Sequence, residues 1–151
     1  MARRRNREAY SDIMGTVRRT LERLEAAVES GALAELCRNH SVELLVLFGS
    51  AASSQGSASA RDVDLALAFR PGEEGDLLGV IDALGTLAGS DALDVMDLDS
   101  AGPVAMHRAL TGGRALYAES PQALTERQIF AINHYIETAP LRRAVLESLT
   151  R

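Results

Sequence analysis

A chain of 151 residues, 46% of them apolar and with a net charge of −5, is long enough to bury roughly two-thirds of its unfolded surface in one core, so neither a disulfide nor a structural metal is required for folding. Its single Cys37 has no partner for an internal disulfide, which fits a reducing compartment, and no apolar run approaches the ~20 residues of a membrane helix; the expectation is a cytoplasmic protein without membrane contact. All sixteen cations are Arg, seven of them against three acids in residues 1–23 and nine against eighteen thereafter, so the acidic body argues against a nucleic-acid footprint and lysine chemistry is excluded.

In chain order, the basic tip Arg3, Arg4, Arg5 and Arg7 is followed by polar residues rather than an apolar stretch, which does not read as a signal peptide. Residues 1–10 are expected to be disordered and residues 11–151 to form a single domain. Ile13, Val17, Leu21, Leu24 and Val28 recur at helical spacing and predict an amphipathic helix stopping near Ser30-Gly31. A second helix follows from about Ala32 to Asn39, and the apolar run Val42 to Phe48 predicts a strand ending in Gly49-Ser50. After a loop of small residues, Ala51 to Ala60, a second strand runs from Asp62 to Phe69.

Leu77, Ile81, Leu84 and Ala88 mark another helix, Ala92 to Leu98 a third strand, and Ser100 and Pro103 the start of a helix that ends at Gly112-Gly113. Arg114 to Glu119 predicts a fourth strand. Pro121 begins a helix through Thr138, and Pro140 a last one with Leu141, Val145 and Leu149 on one face. The order predicts an α/β (α+β) domain with one small mixed sheet flanked by N- and C-terminal helices. The stripe Ile129, Ile132, Tyr135 and Ile136 is expected in the core, with docking of a partner or a second copy as the alternative. His40, His107 and His134 share no metal-ligand spacing and are expected at the surface or at caps, and Cys37 is expected to be a small buried hydrophobe.

The chemistry gathers around the second strand. Residues two apart share a face of a strand, so Asp62, Asp64, Ala66 and Ala68 fall on one side and Val63, Leu65, Leu67 and Phe69 on the other, core-facing side. Two aspartates at this spacing repel each other unless a cation lies between them, and hard oxygen ligands suit Mg²⁺. If the third strand lies beside the second, Asp94, or failing it Asp97, joins the pair, and three carboxylates can hold two metal ions about 3.5–4 Å apart, as phosphoryl and nucleotidyl transfer use them. Gly49 lets a phosphate approach the backbone, Ser50 offers a hydroxyl, and the residues after it can open a helix toward an anion. Arg61 either neutralises a phosphate or is a solvated loop arginine.

Leu47-Phe48-Gly49-Ser50, Asp62-Val63-Asp64-Leu65 and Leu93-Asp94-Val95-Met96-Asp97-Leu98, in that order, resemble the nucleotidyltransferases of the DNA polymerase beta superfamily, and within it the small prokaryotic minimal nucleotidyltransferases. The resemblance spans about Leu33 to Leu141, because Gly113-Arg114-Ala115-Leu116-Tyr117 and a helical tail are also similar to the family's usual ending. It implies the nucleotidyltransferase fold and Mg²⁺-dependent transfer of a nucleoside monophosphate, AMP from ATP, to an acceptor. Asp62, Asp64 and Asp94 would be the catalytic residues and ligands of two Mg²⁺ ions, and Gly49, Ser50 and Arg61 would hold the triphosphate. It further implies a protein acceptor, with the chain as the antitoxin partner of a HEPN toxin. The alternatives are a small-molecule acceptor of aminoglycoside type, for which the chain is short, and an antitoxin acting by binding alone. One departure is the eleven residues between Ser50 and Asp62, one more than the family's habit, with the loop glycine at Gly56 and Arg61 where a serine is usual. Loops absorb such an insertion at little cost, so the metal site is expected to persist.

Overall fold

The computed structural model describes residues 2–53 and 60–150, and side chains among these from residue 12 onward apart from residue 14. Eleven elements follow the predicted order: α1 (Ala2–Ser30), α2 (Ala32–Asn39), β1 (Val42–Phe48), a single 3₁₀ turn (Ser50–Ala52), β2 (Val63–Phe69), α3 (Leu77–Ala88), β3 (Leu93–Asp97), α4 (Pro103–Gly112), β4 (Arg114–Ala118), α5 (Pro121–Glu137) and α6 (Ala139–Leu149). The expected helix of residues 13–30 is the body of α1: Val17 and Leu24 are fully buried while Ile13 remains 42% exposed. The side chains of the basic tip, and the loop glycine Gly56, lie outside the described residues. Among the described residues no helix is long and apolar enough to cross a membrane.

The sheet is mixed, in the order β3-β2-β1-β4. β1 pairs antiparallel with both β2 and β4, and β2 pairs parallel with β3 through the α3 crossover. A central strand covered on both faces is apolar along its whole length rather than alternating, which is why Leu44, Leu45, Val46 and Leu47 are all at most 2% exposed. Local signals set the helix ends. Asp76 caps α3 by accepting a hydrogen bond from the Gly79 N–H at 2.9 Å, and Ser120 caps α5 by accepting from the Ala123 N–H ahead of Pro121. The start of α4 differs from the expectation: Gly102 is its cap residue, and the Ser100 hydroxyl instead donates to Asp97 at 3.0 Å. At the far end of α4, a Cβ on Gly113 would lie 2.3 Å from the Ala109 carbonyl oxygen and 2.5 Å from Val46 Cγ1, so only glycine lets the chain turn tightly under α4 into β4.

Two cores sandwich the sheet, and here one expectation is corrected. Val63, Leu65, Leu67 and Phe69 do pack with Leu45 and Leu47 beneath α1, α2 and α3. The opposite face, read from its sequence as acidic and then merely small, is a second core: Ala66 and Ala68 are fully buried with Leu44, Val46, Met106, Ala109, Leu110 and Ala131 under α4 and α5. A larger side chain at Ala66 or Ala68 would have to displace the residues packed around it in this core.

A second correction concerns α5. Its buried residues are Ala123 and Ala131, whereas Ile129, Ile132 and Ile136 are 55%, 39% and 63% exposed, so the isoleucines of the stripe expected in the core face away from it, while Tyr135 of the same stripe is half-buried. Of the three histidines, His40 is the C-cap residue of α2, His107 stacks on Tyr135 with centroids 4.3 Å apart, and His134 stacks on Phe130 at 5.5 Å. Cys37 is buried as expected.

Candidate active site

One end of the sheet gathers the C-terminus of β1 and the N-termini of β2 and β3. Register pairs Asp64 with Phe48 on one side and with Asp94 on the other. Partners on neighbouring strands point to the same face, so Asp64 and Asp94 share the α4 side of the sheet, and Asp62 stands immediately before β2. Asp94 is exposed rather than turned inward, Asp62 is exposed, and Asp64 is half-buried. The turn after β1 is built against this carboxylate. Gly49 has φ +71°, and a Cβ there would lie 2.2 Å from Asp64 Oδ2, so the glycine is required twice, by its backbone conformation and by the approach of the acid.

The electrostatics report the same convergence. Burial pushes the Asp64 carboxyl above its ordinary value, the Asp94 and then the Asp62 carboxylates push it further, and the Arg108 guanidinium on α4 pulls it back. Arg108 is the residue that sequence reading missed. It sits on the exposed side of α4, where an arginine carries no local mark of a role, and only the placement of α4 over this end of the sheet brings it into the field of Asp64.

The remaining predicted residues divide. Ser50 opens the 3₁₀ turn Ser50–Ala52 and is exposed, so the helix expected there is a single turn. Arg61 is exposed beside Asp62 and forms no ion pair among the described residues. Asp97 has a structural use: its carboxylate accepts from the Asp99 N–H and the Ser100 hydroxyl, both at 3.0 Å, closing the turn after β3 as an Asx motif does.

Chemically, the donor set is three carboxylates, hard oxygen ligands matched to Mg²⁺, beside the Gly49 turn. Among the described residues no three His, Cys, Asp or Glu side chains are gathered tightly enough to enclose an ion. Three acids that repel one another are not expected to close on a common point without a cation. What fits the metal is therefore the donor chemistry and the backbone register, with the side chains left to close.

Residues 32–122 match the family described as Polymerase beta, Nucleotidyltransferase. Among the curated proteins none matches. Among solved structures, the chain is similar to one of a toxin–antitoxin with AMP-PNP, at 25% identity and TM-score 0.63, over 79% of this chain and 96% of that one. It is also similar to one of a tri-AMPylated Shewanella oneidensis HEPN toxin in complex with MNT antitoxin, at 21% identity and TM-score 0.63, over 85% and 99%. A third likeness, to a mutant MntA toxin–antitoxin complex, has 21% identity and TM-score 0.64 over 80% and 98%. With the family match covering more than half of its length, the chain belongs to the polymerase beta nucleotidyltransferase family.

Proposed function

We propose that this nucleotidyltransferase moves AMP from ATP onto a hydroxyl of a protein acceptor, as the antitoxin partner of a HEPN toxin, with Asp62, Asp64 and Asp94 holding two Mg²⁺ ions. The observation that carries the reading is the pairing of Asp64 with Asp94 across β2 and β3, opposite a Gly49 that has no room for a side chain. The protein acceptor is supported by neighbours that are toxin–antitoxin complexes, one of them with an AMPylated HEPN toxin and another with AMP-PNP.

In this reading Gly49 leaves the triphosphate free to approach the backbone, and Ser50 donates its hydroxyl to a phosphate oxygen. Arg61, exposed beside Asp62, neutralises phosphate charge, and Arg108 offsets the charge that builds as the reaction proceeds. The acceptor oxygen bonds the α-phosphorus as the bond from that phosphorus to the bridging oxygen breaks, and pyrophosphate leaves. Asp94, the most solvent-open of the strand carboxylates, accepts the acceptor's proton. When bound, the metal ions neutralise the triphosphate and ease deprotonation of the acceptor.

The test is incubation of the chain with labelled ATP, Mg²⁺ and the protein encoded beside it. Label is expected on that protein, and Asp64→Asn is expected to lower the rate at least ~1,000-fold with the fold intact by circular dichroism, since removing one of three repelling acids does not destabilise the metal-free protein. Full activity of an Asp62→Asn/Asp64→Asn double variant rules the assignment out, and tight binding without label leaves an antitoxin that acts by association alone.

A further inference from the structure

β3 closes one side of the sheet: β2 lies on one flank of it and, among the described residues, no strand lies on the other. The parallel bonds decide which of its main-chain groups are taken. Val63 N–H donates to the Ala92 carbonyl and Leu98 N–H to the Leu67 carbonyl, so in the alternating pattern of a parallel pair Asp94 and Met96 turn their amides to β2. Leu93, Val95 and Asp97 turn theirs outward. The Asp97 carbonyl is taken by the Ser100 N–H, but the N–H and C=O groups of Leu93 and Val95 meet no partner among the described residues. Open donors and acceptors along a strand are a template for a further strand.

This edge runs past the carboxylates. Leu93 and Val95 flank Asp94, which pairs with Asp64. A strand added at the ordinary spacing of ~4.8 Å sets the residue opposite Asp94 on the face that Asp94 shares with Asp64, and turns the two chain neighbours of that residue to the other face. On that other face, between α3 and the start of β3, lies a hollow of about 390 Å³ whose wall includes Ile81, Asp82, Thr86, Asp91 and Leu93.

Charge narrows the occupant. Residues 71–107 hold eight acids and no Arg. Glu73 and Asp99 are engaged by Arg70 and Arg127, Asp76 caps α3, Asp97 closes the turn after β3, and Glu74 lies in the loop before α3. Asp82 and Asp91, both exposed, form no ion pair or hydrogen bond among the described residues. The nearest cations in the chain are placed elsewhere: Arg23 donates to the Ala88 carbonyl at 3.4 Å, and Arg61 stands beside Asp62. The hollow is thus matched by a cationic side chain. A second copy on the same edge, related by a two-fold axis, would set these acids against their own images.

We propose that the protein acceptor enters as an extended segment paired along the free edge of β3, with its hydroxyl-bearing residue opposite Asp94 and an Arg or Lys next to that residue reaching into the hollow beside α3. Main-chain bonds hold the segment, and the hollow selects the residue beside the hydroxyl. The inference deepens the reading that the acceptor is a protein and rests on it.

The experiment mixes the full chain carrying Asp64→Asn, which stalls transfer, with the protein encoded beside it, and follows single amides by hydrogen exchange in NMR. The Leu93 and Val95 amides, open in the free chain, are expected to slow at least ~10-fold in the complex, while those of Asp94 and Met96, already bonded to β2, change little. With the carboxylates intact, Asp82→Arg/Asp91→Arg is expected to raise KM for the partner at least ~10-fold, with kcat at saturation, affinity for AMP-PNP with Mg²⁺ and the thermal melt unchanged. The labelled residue, mapped by mass spectrometry, should have Arg or Lys next to it in sequence. A complex in which the Leu93 and Val95 amides exchange as before overturns the proposal, as does absence of any complex, an unchanged KM in the double variant, or a labelled residue without a basic neighbour. Slowing of the same amides in the chain alone as its concentration rises overturns it too, since a second copy is then the occupant. If the amides slow in the complex while the wild type transfers no label, the catalytic reading falls and docking on the strand edge stands.

Discussion

The strand-end site and the C-terminal arm of α5 and α6 are both patterned by alternating apolar and polar residues, yet they differ in what the pattern can determine. At the site, the carboxylate and the glycine turn are fixed by sheet neighbours: Asp64 is set by its pairing with Phe48 and Asp94, and Gly49 by Asp64 itself. On the arm, the repeat Ile129, Ile132, Ile136 defines an apolar face but not what covers it, and the domain turns its alanine face inward instead. Periodicity identifies a face; only packing volume decides which face the core takes.

The largest contrast between the regions should appear in stability. Leu65, fully buried in the β2 core, should lose about 2–5 kcal/mol on replacement by alanine, while Leu149→Ala, at a side chain 77% exposed, should stay within about 0.5 kcal/mol; urea titration of the isolated chain reads both. Equal losses would mean that the arm is packed in solution. Gly49→Ala comes next. With φ at +71° and Asp64 Oδ2 in the path of the new methyl, it should cost roughly 1–3 kcal/mol and disturb the site, so melting temperature and transfer rate should fall together.

A smaller effect is expected where α6 is tied to α5. Arg142→Ala removes the cation–π contact with Tyr135 and the hydrogen bond to its carbonyl, at a cost of about 1 kcal/mol, and hydrogen exchange should accelerate in residues 139–149 while the sheet amides remain protected. An effect that vanishes at neutral pH and grows only in alkali comes last. Burial pushes the Cys37 thiol up to about 12, against a weaker downward pull from Arg38. The unfolded thiol ionises at its ordinary value of about 8.5 while the native one keeps its proton, so the stability it contributes is whole below that value and is lost as pH rises toward 12. A thiol reagent at pH 8 should label Cys37 only on unfolding.

These differences also explain what was legible in advance. The order of the elements, the mixed sheet and the convergence of β1, β2 and β3 could be read because an apolar strand, a Gly-Ser corner and an Asp-x-Asp strand entry each require a definite backbone neighbour. The second core could not, since Ala66 and Ala68 carry too little hydrophobicity to announce burial. Arg108 was invisible because its part depends on where α4 crosses the sheet, a long-range fact with no local mark. Asp97 looked like an alternative to Asp94, and the strand's own alternation separates them: Asp94 shares the face of Asp64, and Asp97 is engaged by the turn.

The parallel seam between β2 and β3 carries a consequence for how this protein fails. A slide of β3 by a single position would set Leu93 or Val95 where Asp94 now stands and turn every second side chain to the wrong layer. Two backbone clamps oppose such a slide, Val63 N–H to the Ala92 carbonyl at 3.0 Å and Leu98 N–H to the Leu67 carbonyl at 2.8 Å, one at each end of the seam. Lesions in α3, the element that threads one strand to the other, should therefore silence the carboxylates by misalignment without touching any of them.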